Sequence, residues 1–245
     1  MFKRVVFLTM LMLFGLLTAA AHDGEPIDDS TGDSAQPEFD IVFAKVAQIG
    51  PNLYFQMVVS GEAGAITPEP VGEVAGAEVL SYVWPTSLDS SIVGFETEQG
   101  ILALVVTSHP DFDDTPLWDE NKDGDTTNDG NLWHSHWVVL VADDTCGDGG
   151  LKVKDIPEGE TPAVPETWPQ LPILIDSPDY PVELFRDEVV VTVPQAVVGD
   201  VDTFNFDGVT AGLRVNANLH DPFLCVTGVS DIASDDLSLP GMMGR

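Results

Sequence analysis

Basic residues are what this chain has least of: nine Lys and Arg stand against 41 Asp and Glu, a formal net charge of −32. A surface so acidic repels phosphate backbones and anionic lipid, and no cluster of Lys or Arg interrupts it. Nucleic-acid binding is therefore excluded. Cysteine is nearly absent too, with only Cys146 and Cys225. Neither has a second cysteine nearby, which argues against a thiolate metal cluster and for one disulfide closing a long loop. Gly-x-Ser-x-Gly, a glycine-rich phosphate loop and a His-Glu-x-x-His helix are all missing, so no familiar nucleophile or phosphate motif is in view. Long apolar runs are missing beyond the first residues. No later segment could span a bilayer as a helix.

That first run has a clear reading. Met1 to Ala21 opens on Lys3 and Arg4, continues apolar from Val5 to Leu17, and ends on Ala19, Ala20 and Ala21. This is the pattern of a secretory signal peptide with an Ala-x-Ala cut. No cysteine at the cut argues against a lipid anchor. Cleavage removes two cations and no acid, taking the net charge to −34. The expected product is secreted or periplasmic, without membrane insertion, in a compartment where a disulfide persists. Cutting after Ala21 would expose His22, whose amine and imidazole could chelate copper.

Residues 22–38 are rich in Asp, Gly, Ser and Pro with Ile27 as the one large aliphatic, which predicts a flexible acidic leader. From Phe39 the pattern changes to alternation. Phe39, Ile41 and Phe43, a Gly50-Pro51-Asn52 turn, then Leu53, Phe55, Met57 and Val59 predict a β-hairpin. Strand-like runs follow at 78–84, 101–108, 132–141, 188–193, 211–219 and 223–229. No stretch carries a sustained helical period, so the expected class is all-β: a single antiparallel β-sandwich or partly closed barrel with long ordered loops, over residues 39–237. Seven prolines between Ile156 and Pro181 exclude a central strand or helix there. One long loop crossing a single domain is preferred to a linker between two. Residues 238–245 should fray.

Two candidate metal sites lie side by side. Asp119, Asn121, Asp123, Gly124 and Asp125 put oxygen donors at alternate positions before a glycine, with Asp129 at the end. The run resembles the calcium loop of EF-hand and dockerin-like proteins over these twelve residues. It departs in having Gly130 at the twelfth position and no flanking helices. The resemblance implies Ca²⁺ in a loop inserted between strands, not an EF-hand switch; the alternative is an acidic turn with no ion. The second site begins at Trp133-His134-Ser135-His136-Trp137. On a strand, His134 and His136 share a face with Leu132, Val138 and Leu140, while Trp133, Ser135, Trp137, Val139 and Val141 take the other. If the strands at 101–108 and 132–141 pair, His109 joins them. Three imidazoles suit Zn²⁺ or Cu²⁺ with a position left open. His-x-His recurs in cupins and in α-type carbonic anhydrases, and Leu-Trp-His-Ser-His-Trp is similar to the latter only locally. Hydrogen-bonded polar histidines are the competing reading, and His220 is a distant fourth candidate.

Acid pairs such as Asp113-Asp114 and Asp143-Asp144 read as solvated surface in so acidic a chain. Three functions compete: a non-enzymatic exported metal-binding protein that takes a transition metal or small ligand, a zinc-dependent hydrolase or hydratase, and a carbohydrate or adhesion module using the tryptophans on a glycan. The sequence leaves the oligomeric state open.

Overall fold

A computed structural model describes residues 24–110, 112–129, 131–199, 201–216 and 222–244. The signal-peptide segment, His22 and His220 lie outside the described residues.

The fold is nearly all β, and its strands pair antiparallel in two main sheets. The first sheet is five-stranded, in the order β1 (Ile27–Asp28), β2 (Ile41–Ile49), β3 (Asn52–Val59), β10 (Glu188–Pro194) and β9 (Val182–Phe185). The second contains β4 (Glu78–Pro85), β5 (Ile101–Ser108), β6 (His134–Ala142), β7 (Leu151–Val153), β8 (Ile175–Asp176), β12 (Val209–Val215) and β13 (Leu224–Ile232). Its order is β5-β4-β12-β13-β7-β6, and β6 pairs again with β5. Six strands thus close on themselves as a partly closed barrel, with β8 added beside β6. Among the described residues no helix is long and apolar enough to cross a membrane.

Alternation on the shared strands builds two cores at once. Leu80, Tyr82 and Trp84 of β4, Leu102, Leu104 and Val106 of β5, and Trp137 and Val139 of β6 face the five-stranded sheet. They meet Phe55, Met57, Val189 and Val191 across it, as in a sandwich. Phe55 stands edge-on to both Trp84 and Trp137, at ring separations of 6.1 and 6.0 Å. The alternate residues, Val79 and Val83, Ala103 and Val105, Val138 and Leu140, Val209, Ala211 and Leu213, form a second apolar cluster inside the barrel. Both architectures expected from the sequence are therefore present, and they share one wall.

Residues 24–38, expected to be a flexible leader, are instead tied to the body. Ile27 is buried and pairs with Ala44, and the Asp40 carboxylate gathers the backbone N–H groups of Gly32, Asp33 and Ser34. The end of the chain differs from the expected fraying in the same way: β14 (Gly241–Met242) pairs with β11 (Asn205–Phe206), Met242 bridges Glu25, and Met243 is fully buried. Both segments draw their order from distant partners, which local composition does not reveal. In β2 a bulge between Ile41 and Phe43 resets the alternation, so Ala44 and Val46 are buried where Phe43 was expected. The proline-rich stretch folds back on the barrel. Ile156 donates its N–H to Pro172, Asp155 bridges Ile173, and β8 joins β6.

Candidate metal centre

The register of β5 and β6 pairs Thr107 with His134 and Val105 with His136. His109 continues from the end of β5 and arrives beside the start of β6. His134 and His136 project to the barrel side, opposite Trp137. All three imidazoles are buried, and a carboxylate completes the group: His109, Asp114, His134 and His136 place their donor atoms within 4.8 Å of one another.

Asp114 was expected at the surface as half of an acid pair. It is 4 % exposed and sits at the centre of the cluster. Its Oδ1 lies 3.1 Å from His109 Nε2 and 3.1 Å from His134 Nε2, and its Oδ2 lies 3.2 Å from His136 Nε2. The two nitrogens His109 Nε2 and His134 Nε2 are themselves 3.2 Å apart. Its sequence signal was proximity alone, an acid five residues after His109 in the connection to β6.

Hydrogen bonds on the far side of the rings fix which nitrogens are bare. His134 Nδ1 is 2.7 Å from the Leu132 carbonyl, which can only accept, so Nδ1 carries the proton. His136 Nδ1 is 3.1 Å from Ser177 Oγ, whose own hydrogen goes to the Asp114 carbonyl at 2.7 Å. Ser177 must then accept, and again Nδ1 is the donor. When neutral, both rings aim an unprotonated Nε2 at the Asp114 carboxylate. His136 Nε2 makes no hydrogen bond at all despite its 3.2 Å approach. Lone pairs facing a buried carboxylate repel unless positive charge lies between them. His109 is held differently, its ring stacked on Phe112 at 3.8 Å and 1°. Its Nδ1 is buried without a hydrogen-bond partner.

The electrostatics follow this crowding. Burial alone would raise Asp114, but the charges of His109, His136 and His134 carry it well below the ordinary carboxylate range. Burial pulls both strand histidines down. For His134 the charge and hydrogen bond of Asp114 prevail and raise it, while His136 stays lowered.

The acidic loop is arranged otherwise. The Asp119 carboxylate accepts from the N–H groups of Asp123 and Gly124, Asn121 Oδ1 from Asp123, Asp123 Oδ1 from Asp125, and Asp125 Oδ1 from Thr127. Gly124 has φ +95°, the left-handed turn that favours glycine. Asp129 is buried beneath and takes the N–H groups of Glu120 and Asn121. These oxygens serve the loop's own amides, as in a run of Asx-turns. Among the described residues, Asp119, Asp123, Asp125 and Asp129 do not join a group of converging metal donors. Glu120, overlooked in the sequence, turns both carboxyl oxygens inward beside Thr115 and Asp129, and burial raises its pKa.

Compared with protein families, curated proteins and solved structures, the chain matches none.

The five tryptophans are tied into the body of the fold. Trp84 and Trp137 are fully buried, and the indole N–H groups of Trp118, Trp133 and Trp168 donate to the carbonyls of Ser177, Gly64 and Ile173. The disulfide expected from the two cysteines is present, joining Cys146 to Cys225 across 79 residues.

Behind Ser177, Asp176 is buried on β8, accepts from Thr167 Oγ1, and is raised by that burial from 3.8 to about 6. The folded protein thus holds this proton more tightly than the unfolded chain does. The resulting stability is present below about pH 4 and lost as pH rises through about 6. Replacing Asp176 with Asn should raise stability at pH 7.5 by on the order of 2–3 kcal/mol and leave it unchanged near pH 4. Urea melts at the two pH values check this. Equal effects at both would show that ionisation is not the cause.

Proposed function

We propose that this is an exported metal-binding protein in which His109, Asp114, His134 and His136 hold one Zn²⁺ ion, with Cu²⁺ as the competing occupant. The single observation that carries the reading is the convergence of three imidazole nitrogens on one buried carboxylate, with His136 Nε2 left without a hydrogen bond. A divalent cation at their centre would give each of these donors a bond. Three imidazoles and one carboxylate are a familiar donor set for zinc. His109 Nε2, His134 Nε2 and Asp114 Oδ1 stand 3.1–3.2 Å apart, close to the edge of about 3.3 Å expected for one face of a tetrahedron around zinc at about 2.0 Å, while His136 Nε2 lies 3.2 Å from the other oxygen of Asp114. Leu132 and Ser177 act as the outer partners that hold the rings in their metal-binding tautomer.

Binding is favoured over catalysis because the carboxylate fills the fourth position. The hydroxyls nearby, Ser81 and Thr107, are engaged with Ala211 O and His134. Export is supported by the signal-peptide pattern of residues 1–21 and by the disulfide. Calcium in the loop 119–130 rests on its spacing alone.

The test is elemental analysis of the mature protein purified without chelator. About one equivalent of zinc is expected, falling below a tenth in an Asp114→Ala, His136→Ala double variant that remains folded. Less than a tenth of an equivalent of every transition metal in the native protein, unchanged after incubation with Zn²⁺ or Cu²⁺, rejects the reading. Calcium titration of the same sample followed by loop fluorescence at Trp118 decides the loop separately.

A further inference from the structure

The barrel interior contains a cavity of about 80 Å³. Its walls are almost wholly aliphatic, among them Val79, Val105, Val138, Leu140, Ala211 and Leu213. The exceptions are concentrated in the metal cluster: His109, Asp114 and His136 line the same space, beside Thr107. At other points the lining includes Val229 and Leu237, which are 51 % and 36 % exposed. Apolar side chains left in water at the margin of an apolar cavity mark where it meets the surface.

We propose that this lumen is a binding site for a short unbranched aliphatic carboxylate, whose chain lies among the barrel side chains and whose head adds a donor to the metal. The head half of this inference rests on the zinc reading given above. Three neutral imidazoles, one carboxylate and a divalent ion leave one net positive charge in a buried site. An anionic oxygen donor arriving from the lumen neutralises it, either as a fifth ligand, a number zinc sometimes reaches, or in place of the Asp114 oxygen. The tail half rests on the walls. A cavity this dry stays free of water and gains from filling with hydrocarbon, as the engineered cavity of about 150 Å³ that takes benzene does. This one is roughly half that size, which suits a chain of a few carbons.

The experiment is calorimetric titration of the zinc-loaded mature protein with acetate, butanoate, hexanoate, octanoate and benzoate. Affinity should rise about fourfold per methylene until the lumen is full, then level off. Benzoate should bind at least tenfold more weakly than hexanoate. Ala211→Leu, which fills the lumen away from the ion, should weaken hexanoate at least tenfold while zinc content stays at one equivalent. Ala211→Val serves as the milder variant if the larger side chain disturbs folding, with an intermediate loss expected. Equal affinity for acetate and hexanoate, or an unchanged affinity in both variants, overturns the proposal and leaves plain carboxylate coordination at the metal. If the native protein holds no zinc, the metal reading fails on its own. The lumen is then judged with 1-butanol and 1-hexanol on the metal-free protein: a methylene increment upholds the aliphatic-chain site without its head, and a flat series overturns it.

Discussion

Zinc at a thousandfold excess over its dissociation constant should stabilise the native protein by about 4 kcal/mol, and His136→Ala should abolish that gain. The size follows from mass action: a ligand that binds only the folded state adds about 4.1 kcal/mol at that excess. For a domain of this length each kcal/mol moves the melting temperature by about 2–4 °C. A rise of roughly 8–16 °C over the chelator-treated protein is therefore expected, and none in the variant. His136 is the informative position because its Nε2 has no hydrogen bond to lose and faces Asp114 Oδ2 at 3.2 Å. A merely structural histidine would instead destabilise the chelated protein as much as the zinc-loaded one. Ser177→Ala separates orientation from ligation. It removes the acceptor that keeps the His136 proton on Nδ1, and it should weaken zinc by about 10–100-fold without abolishing it. Equal melting temperatures of the native protein in zinc and in chelator would overturn the site.

Removing the disulfide has the other large effect. Cys146 and Cys225 close a loop of 79 residues, and in the loop-entropy treatment such a link contributes about 4–5 kcal/mol. That is a large share of the roughly 5–15 kcal/mol by which a domain is stable. Its position makes the loss local as well as global. β13 and β7 share only one register pair, Cys225 with Lys152, so this is the thinnest seam of the barrel. The bond sits on it, with Lys152 clamped between Asp143 and Asp155 alongside. A Cys146→Ser, Cys225→Ser protein should lose about 4–5 kcal/mol in guanidinium melts. Its amide exchange should accelerate first in β7 and β13, ahead of β4 and β5. Uniform acceleration across the barrel would show that the bond acts on the unfolded chain alone.

The sequence was legible where order is local. Alternating runs marked β3, β4, β5, β6, β10 and much of β12 and β13 within a residue or two, because period-two burial is written into consecutive positions. The pieces it hid are short and made by distant partners: β1, β8, β11 and β14 have two residues each and gain their order from β2, β6 and one another. The face shared by His134 and His136 was readable for the same reason as the strands. Asp114 was not, since in a chain with 41 acidic residues nothing local sets one aspartate apart. It is buried among three imidazoles, and Ser177, which donates to its carbonyl, comes from 63 residues away. The acidic loop was conspicuous in its spacing, and its oxygens accept from neighbouring amides, a pattern that Asx-turns make with or without an ion.

The wall common to the two cores makes parity the quantity that mutation must respect. Deleting one residue within β6 would swing both imidazoles toward Phe55 and Trp84 and thrust the Trp137 indole into the barrel, ruining hydrocarbon packing and ligation in one step. Insertions among the exposed residues 121–125 of the connection before it shift no face and cost little beyond slack. Divergence should therefore accumulate as length changes between strands, while the odd and even columns of β4, β5 and β6 keep their separate chemistries even after identity has faded.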